Sequence, residues 1–180
     1  MPYTLTDKQL LYAGKKVRLE LHHLRDEDGA KHIREVCVHA GAVVILPILP
    51  DGRVVLIRNL RHTVGAYLLE LPAGTLEPGE SPINCAGREL VEETNYMAAK
   101  LKPLGSFYAS PGILTEKMYA FVATGLTPHP GEKDDGEEIE VMPMTFAEAI
   151  EAIRVGDIED AKTIATLLMY DRFHQHERPA

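Results

Sequence analysis

Three glutamates, Glu89, Glu92 and Glu93, stand in the run Arg88-Glu89-Leu90-Val91-Glu92-Glu93. On a helix, residues three and four apart share a face, so these carboxylates project toward one place. Like charges at that spacing repel and cost helix stability unless something neutralises them. A divalent cation held by oxygen ligands is the natural neutraliser, and its chemistry is polarisation of a phosphoryl group and activation of a water. The alternative is a solvated acidic face, the ordinary reading of a Glu-rich helix standing alone.

The flanking residues weigh on that choice. Gly74, Pro78 and Gly79 make a sharply turning loop ahead of the helix. Ser81 is suited to the N-cap and Pro82 to the first helical position, so the pattern predicts a helix from about Pro82 to Thr94. Asn95 stands where it stops, and Asn tolerates the left-handed conformation common there. The whole segment resembles the Nudix box: Gly, five residues, Glu, seven residues, then Arg-Glu-aliphatic-any-Glu-Glu-any-Gly-aliphatic. Gly74, Glu80, Arg88, Glu89, Leu90, Glu92 and Glu93 match it at the required spacing. From average residue usage, a chance match in a chain of this length is below roughly one in 10^5. Asn95 replaces the usual Gly and Tyr96 the usual aliphatic residue, and neither departure touches a metal-ligand position.

The resemblance implies roles for these positions. Glu89, Glu92 and Glu93 bind metal, together with the backbone carbonyl of Ala73. Magnesium is the implied ion, with manganese as a possible substitute. Glu80 and Arg88 clamp the loop to the helix through a charge-assisted pair, and with Gly74 they are structural. Other stretches resemble the ADP-ribose pyrophosphatases and related sugar-nucleotide enzymes of that superfamily. These are Leu68-Leu69-Glu70-Leu71-Pro72-Ala73-Gly74, Ile57-Arg58-Asn59-Leu60-Arg61 and the loop Ser110-Pro111-Gly112. Pro111 follows Asn95 by 16 residues, an offset that marks the ADP-ribose subfamily. The resemblance places Arg58, Arg61, Glu70 and Pro111 among substrate-binding positions, the arginines because a guanidinium makes bidentate contacts to phosphate. The acidic stretch from Asp134 to Val141 resembles the subfamily's catalytic loop. Glu137 is the best match for its base and Glu138 the next, so Glu137 joins Glu92 and Glu93 as a catalytic position. The implied reaction is metal-dependent hydrolysis of a nucleoside diphosphate linked to another group, first of all ADP-ribose to AMP and ribose 5-phosphate. A GDP-mannose-type pyrophosphatase and a non-catalytic nucleotide sensor are the alternatives.

The elements that position these residues follow from periodicity. Residues 15–24 and 31–39 alternate apolar with polar around the turn Asp26-Glu27-Asp28-Gly29, which predicts a hairpin. Ala42 to Leu49 is a nearly continuous apolar run, expected as a central strand, and Arg53 to Arg58 as its hairpin partner. Strands are expected near 67–71, 102–108, 117–123 and 139–144, and helices from Thr145 and from about Asp160 to Phe173. Strands mixed with helices without strict alternation point to an α+β fold. The resemblance specifies a mixed β-sheet sandwiched between helices, with the N-terminal strands (1–40) as a dimerisation extension of a hydrolase domain (41–180). A homodimer is expected.

Composition bounds the rest. The chain has 180 residues, 45% hydrophobic and 26% charged, with a formal net charge of −8. That acidic balance argues against general nucleic-acid binding, which needs a basic footprint. The N-terminus lacks a basic segment followed by an apolar one, and no apolar run reaches membrane-spanning length, so a cytoplasmic protein with no membrane partner is expected. Cys37 and Cys85 lack metal or redox spacing and are expected as buried thiols. His22 and His23 adjoin in a strand and point to opposite faces, so they cannot chelate one ion together.

Overall fold

The computed structural model describes residues 2–15, 17–129 and 139–174. The chain forms two compact units: Met1–Gly41 with Tyr108–Lys117, and Ala42–Phe107 with Met118–Ala180.

The first unit is a three-stranded antiparallel sheet of β1 (Tyr3–Ala13), β2 (Arg18–Asp26) and β3 (Lys31–Val38), in that order. The hairpin expected from residues 15–39 is β2–β3. Its turn closes through Gly29 at φ 84°, with Asp26 Oδ1 accepting from Ala30 N–H at 2.8 Å. Strand β1 is an addition that periodicity did not show. Its pairing with β2 shifts register between Leu5 and Asp7 and again between Leu10 and Tyr12. Each irregularity resets which side chains share a face, so alternation does not persist along Tyr3–Ala13. On β2, Glu20 is buried and bonded by His22 and Arg18, which hold its carboxyl below the usual range. The segment from Tyr108 to Lys117 joins this unit beside the end of β3: Cys37 N–H donates to Ile113 O at 2.8 Å and Thr115 N–H to Cys37 O at 3.0 Å.

The second unit carries two sheets and three helices. One sheet has the order β10-β5-β6, from Ile139–Met144, Val54–Arg61 and Ala66–Glu70. The other has the order β7-β4-β9-β8, from Ala73–Thr75, Ala42–Pro47, Lys117–Pro128 and Tyr96–Tyr108, with β4 and β9 parallel. Strand β4 shows why the run from Ala42 is apolar throughout. Val43 and Ile45 pack with Cys85, Ala86 and Leu90 of α1 (Pro82–Thr94). Val44 and Leu46 pack on the other side, with Ala149 of α2 (Phe146–Val155) and Leu167 and Tyr170 of α3 (Ala161–Phe173). Successive side chains of a strand point to opposite faces, so a strand covered on both sides must be apolar at every position. The fold is α+β, with mixed strands between helices. Each fully buried Leu or Ile in these layers contributes about 2 kcal/mol relative to exposure.

The helix ends follow local chemistry. Ser81 caps α1 and accepts from Asn84 N–H, with Pro82 opening the helix. Asn95 closes it at φ 57° and ψ 31°, the only non-glycine residue with positive φ among those described, and its N–H donates to Val91 O at 2.9 Å. Thr145 and Glu148 form a reciprocal capping box at the start of α2.

Candidate active site

The box helix α1 lies over β7, and the carboxylates meet that strand at two backbone positions. Glu93 is buried, and its Oε2 accepts the Ala73 N–H at 2.8 Å. Glu89 rests on Gly74 so closely that a Cβ built there would lie 1.8 Å from Glu89 Oε1. Residues 89 and 93 are one helical turn apart, and Ala73 and Gly74 are consecutive on β7, so the two carboxylates are laid side by side along one strand. Strand β7 is itself held to β4 through the Val44–Ala73 and Val43–Gly74 pairs, and Ile45 N–H donates to Pro72 O at 2.9 Å.

Arg88 organises the remaining acids. Its Nε and Nη2 bond Glu80 Oε1 and Oε2, both at 3.0 Å, while Nη1 reaches Glu89 Oε1 at 2.7 Å and Glu92 Oε2 at 2.9 Å. Glu80 also accepts the Glu77 N–H. The Arg88 guanidinium therefore holds the Glu80 carboxyl down to about 2, and Glu80 in turn holds Arg88 above its usual range. The clamp expected between loop and helix is present, and it extends to Glu89 and Glu92, two of the three carboxylates expected to bind metal. Positive charge from Arg88 offsets the repulsion among Glu89, Glu92 and Glu93. Among the described residues no three acidic, His or Cys side chains are gathered as the ligands of one ion. Cys85, against Gly74 O and Thr75 O, is buried as expected, and burial pushes its thiol up to about 12, whereas Cys37, expected to be buried too, is only half-buried at the end of β3.

The residues fit a hard divalent ion by their donor chemistry. Glu89, Glu92 and Glu93 offer carboxylate oxygens on one helix, and Gly74 leaves a cradle, which a side chain there would fill, for the Glu89 carboxylate. An ion entering there competes with Arg88 for Glu89 and Glu92.

The residues expected to bind substrate fall in three places. Arg61 and Glu70 are bonded to each other, Nε to Oε1 at 2.7 Å and Nη2 to Oε2 at 2.6 Å. Arg58, half exposed, lies 4.3 Å over the Tyr67 ring and 3.6 Å from Glu140, lining a depression of about 240 Å³ with Ile139. Pro111 belongs to the first unit, in the turn after β8. Glu137, with Glu138, lies outside the described residues. Sequence reasoning missed Lys162 and Tyr67. Lys162 bonds the fully buried Glu70 across 92 residues of sequence, a separation no local pattern signals.

Comparison with known proteins identifies the family. The NUDIX domain model matches residues 38–167. The ADP-ribose pyrophosphatase of Bacillus subtilis (strain 168) is 35% identical over 158 residues, covering 87% of this chain and 85% of that protein. The methanol dehydrogenase activator of Bacillus methanolicus is 33% identical over 86% of this chain and 84% of its own. A GDP-mannose pyrophosphatase of Cronobacter sakazakii (strain ATCC BAA-894) is 35% identical over 79% of this chain and 80% of its own. The crystal structure of an ADP compounds hydrolase superposes with a TM-score of 0.86 at 24% identity, covering 98% of this chain and 96% of that one, and so shares the fold. With the box carboxylates aligned along β7 and the family model spanning most of its length, the chain belongs to the Nudix family of pyrophosphohydrolases.

Proposed function

We propose that this chain hydrolyses ADP-ribose to AMP and ribose 5-phosphate with magnesium, manganese serving as a substitute. The observation that carries the reading is the placement of Glu89 and Glu93 side by side against the Gly74 and Ala73 backbone, which sets two carboxylates of the box helix along one strand. The kinship with an ADP-ribose pyrophosphatase over most of both chains supports the substrate. Glu89, Glu92, Glu93 and the Ala73 carbonyl would hold the ion, which when bound polarises phosphoryl oxygens and lowers the pKa of water. Arg88 keeps the carboxylates oriented and Glu80 keeps Arg88 in place. Arg61, aimed by Glu70, offers a guanidinium to the diphosphate, and Arg58 on Tyr67 and Pro111 serve as further substrate contacts. Glu137 takes the proton of the attacking water, whose oxygen bonds to phosphorus as the phosphoanhydride bridge breaks. The chain acts in the cytoplasm as a homodimer, without nucleic-acid or membrane partners; no helix among the described residues is long and apolar enough to cross a membrane. The strands of residues 1–40 form the dimerisation extension, and residues 41–180 the hydrolase domain.

The GDP-mannose pyrophosphatase relatives favour a second reading, in which the leaving group is a hexose 1-phosphate and the nucleotide GMP. Purified protein incubated with magnesium and either ADP-ribose or GDP-mannose, with products separated by chromatography, decides between them. Release of AMP from ADP-ribose at the higher kcat/KM is the expected result. Preference for GDP-mannose overturns the first reading, and failure to cleave either favours the non-catalytic sensor.

A further inference from the structure

Glu70 is fully buried at the end of β6, yet two cations converge on it. Arg61 approaches from β5 through its Nε and Nη2 edge, and Lys162 approaches from the first turn of α3. Lys162 is also held by Asp160 Oδ1 at 2.9 Å. Asp160 Oδ2 accepts both the N–H and the hydroxyl of Thr163, at 2.9 and 2.6 Å, and Thr163 Oγ1 accepts the Leu71 N–H at 2.8 Å. The start of α3 thus grips Glu70 and Leu71, three and two positions before Ala73, whose N–H holds Glu93.

The charges decide what this network does. Glu70 and Asp160 carry −2, Arg61 and Lys162 carry +2, so the cluster is neutral. Without Lys162 it would carry −1, beside a carboxylate-rich site that must admit an anionic diphosphate. The sole cation then left on Glu70 would be Arg61, whose side chain is one-third exposed and within electrostatic reach of Glu93. A lysine is a compact point charge and an arginine a planar fork, so the two divide the carboxylate by kind: Arg61 takes both oxygens side-on while Lys162 supplies charge end-on.

We propose that Lys162 is a positioning residue for substrate binding: by neutralising Glu70 it leaves the charge of Arg61 available to the substrate's phosphates. This rests on the reading that a nucleoside diphosphate-linked substrate binds beside the box helix. Lys162 lies in a part of the chain that carries no motif, and it acts through Glu70 and Arg61 without touching the reacting atoms.

The test compares wild type with Lys162→Gln, which keeps an N–H donor but not the charge, and with Lys162→Arg, which keeps the charge. For Lys162→Gln, KM for ADP-ribose is expected to rise about tenfold, the effect of one unit charge at a partly solvated site, while kcat changes less than about twofold. Affinity for Mn2+ alone, measured by calorimetry, is expected to hold or rise, because the site becomes more negative. Lys162→Arg is expected to stay within about threefold of wild type in KM, since the unit charge is retained. An unchanged KM in Lys162→Gln overturns the proposal. A parallel loss of Mn2+ affinity also overturns it, because that result means the network only braces the Ala73–Glu93 contact. Failure of Lys162→Gln to fold assigns Lys162 to stability and overturns it as well. Wild type that cleaves neither ADP-ribose nor GDP-mannose fails the functional reading instead, which separates the two.

Discussion

Glu89 lies over Gly74 at a distance that leaves no room for a side chain on residue 74: a Cβ there would fall 1.8 Å from Glu89 Oε1 and 1.9 Å from Cδ. The obstructing group is the far end of a flexible side chain, so the structure relieves the clash by swinging Glu89 aside. Gly74→Ala is therefore expected to leave the melting temperature within about 3 °C, a change of less than about 1 kcal/mol. Affinity for Mn2+ should nevertheless fall by about tenfold or more, as it does when groups that orient metal ligands are lost. Calorimetric Mn2+ titration beside a thermal melt checks both. Undiminished affinity would detach Glu89 from metal binding.

Glu93 gives the complementary case. Its Oε2 accepts the Ala73 N–H, and a glutamine carbonyl can accept the same bond. Glu93→Gln is therefore expected to fold with equal or higher stability, because one charge leaves a crowded acidic helix. Turnover should fall at least about a hundredfold, since a ligand is worth no less than the groups that orient it. Steady-state rates at saturating magnesium measure this, and near wild-type turnover would remove Glu93 from the machinery.

The Glu80–Arg88 clamp makes a prediction about acid. Arg88 lowers the Glu80 carboxyl from its ordinary value of 4.5 to about 2. A carboxyl lowered on folding contributes stability that is fully present above the unfolded pKa and is lost as pH falls through the folded one. The window is therefore about pH 5 to pH 2. The ceiling is about 3 kcal/mol, and partial solvent screening reduces it to roughly 1–2. Urea titrations across that range should show wild type losing more stability than Glu80→Gln. Parallel losses would mean the pair is electrostatically idle.

How much of this was legible beforehand depends on the distance over which each signal acts. Helix α1 could be read to the residue because Ser81, Pro82 and Asn95 are local instructions that surrounding packing agrees with. The Glu80–Arg88 clamp was legible too, since the box spacing carries it, but Arg88's hold on Glu89 and Glu92 was not. It depends on which rotamer the guanidinium takes once Glu80 fixes one edge. Strand β1 was hidden by two register shifts that scramble alternation. Arg61 and Glu70 were each singled out for substrate; the sheet register, with Ile57 opposite Glu70 and Arg61 opposite Ala66, puts them on one face four positions apart, and only the reach of the Arg61 side chain along that face closes the ion pair.

Asn95 tests whether the box tolerates its departure from glycine. At φ 57° an Asn is strained less than other side-chain-bearing residues but more than Gly. Asn95→Gly is expected to change stability by no more than about 0.5 kcal/mol, because relief of the backbone is offset by greater freedom in the unfolded chain. Asn95→Val should cost about 1–2 kcal/mol, as a β-branched residue pays most there. Thermal melts rank the three, and a Val variant as stable as wild type would show that the turn has another conformation available.

The homodimer reading has its own check in the first unit. Every residue of β1 is exposed, and the strand carries Tyr3, Leu5, Leu10, Leu11 and Tyr12 at the edge of its sheet. An exposed apolar edge strand is a template for pairing with another chain, and closed two-fold pairing is the commonest outcome for soluble oligomers. Leu5 and Leu10 lie opposite Leu24 and Glu20, alternate residues of β2, so both stand on one face of the sheet. Light scattering of wild type at micromolar concentration is expected to give twice the 19.9 kDa chain mass. Leu5→Lys with Leu10→Lys should shift it to the monomer, because two charges on each copy must be buried or leave the interface. Retention of circular dichroism by that variant separates dissociation from unfolding. A monomeric wild type sinks the dimer outright, and a variant that stays dimeric places the interface away from this face of β1.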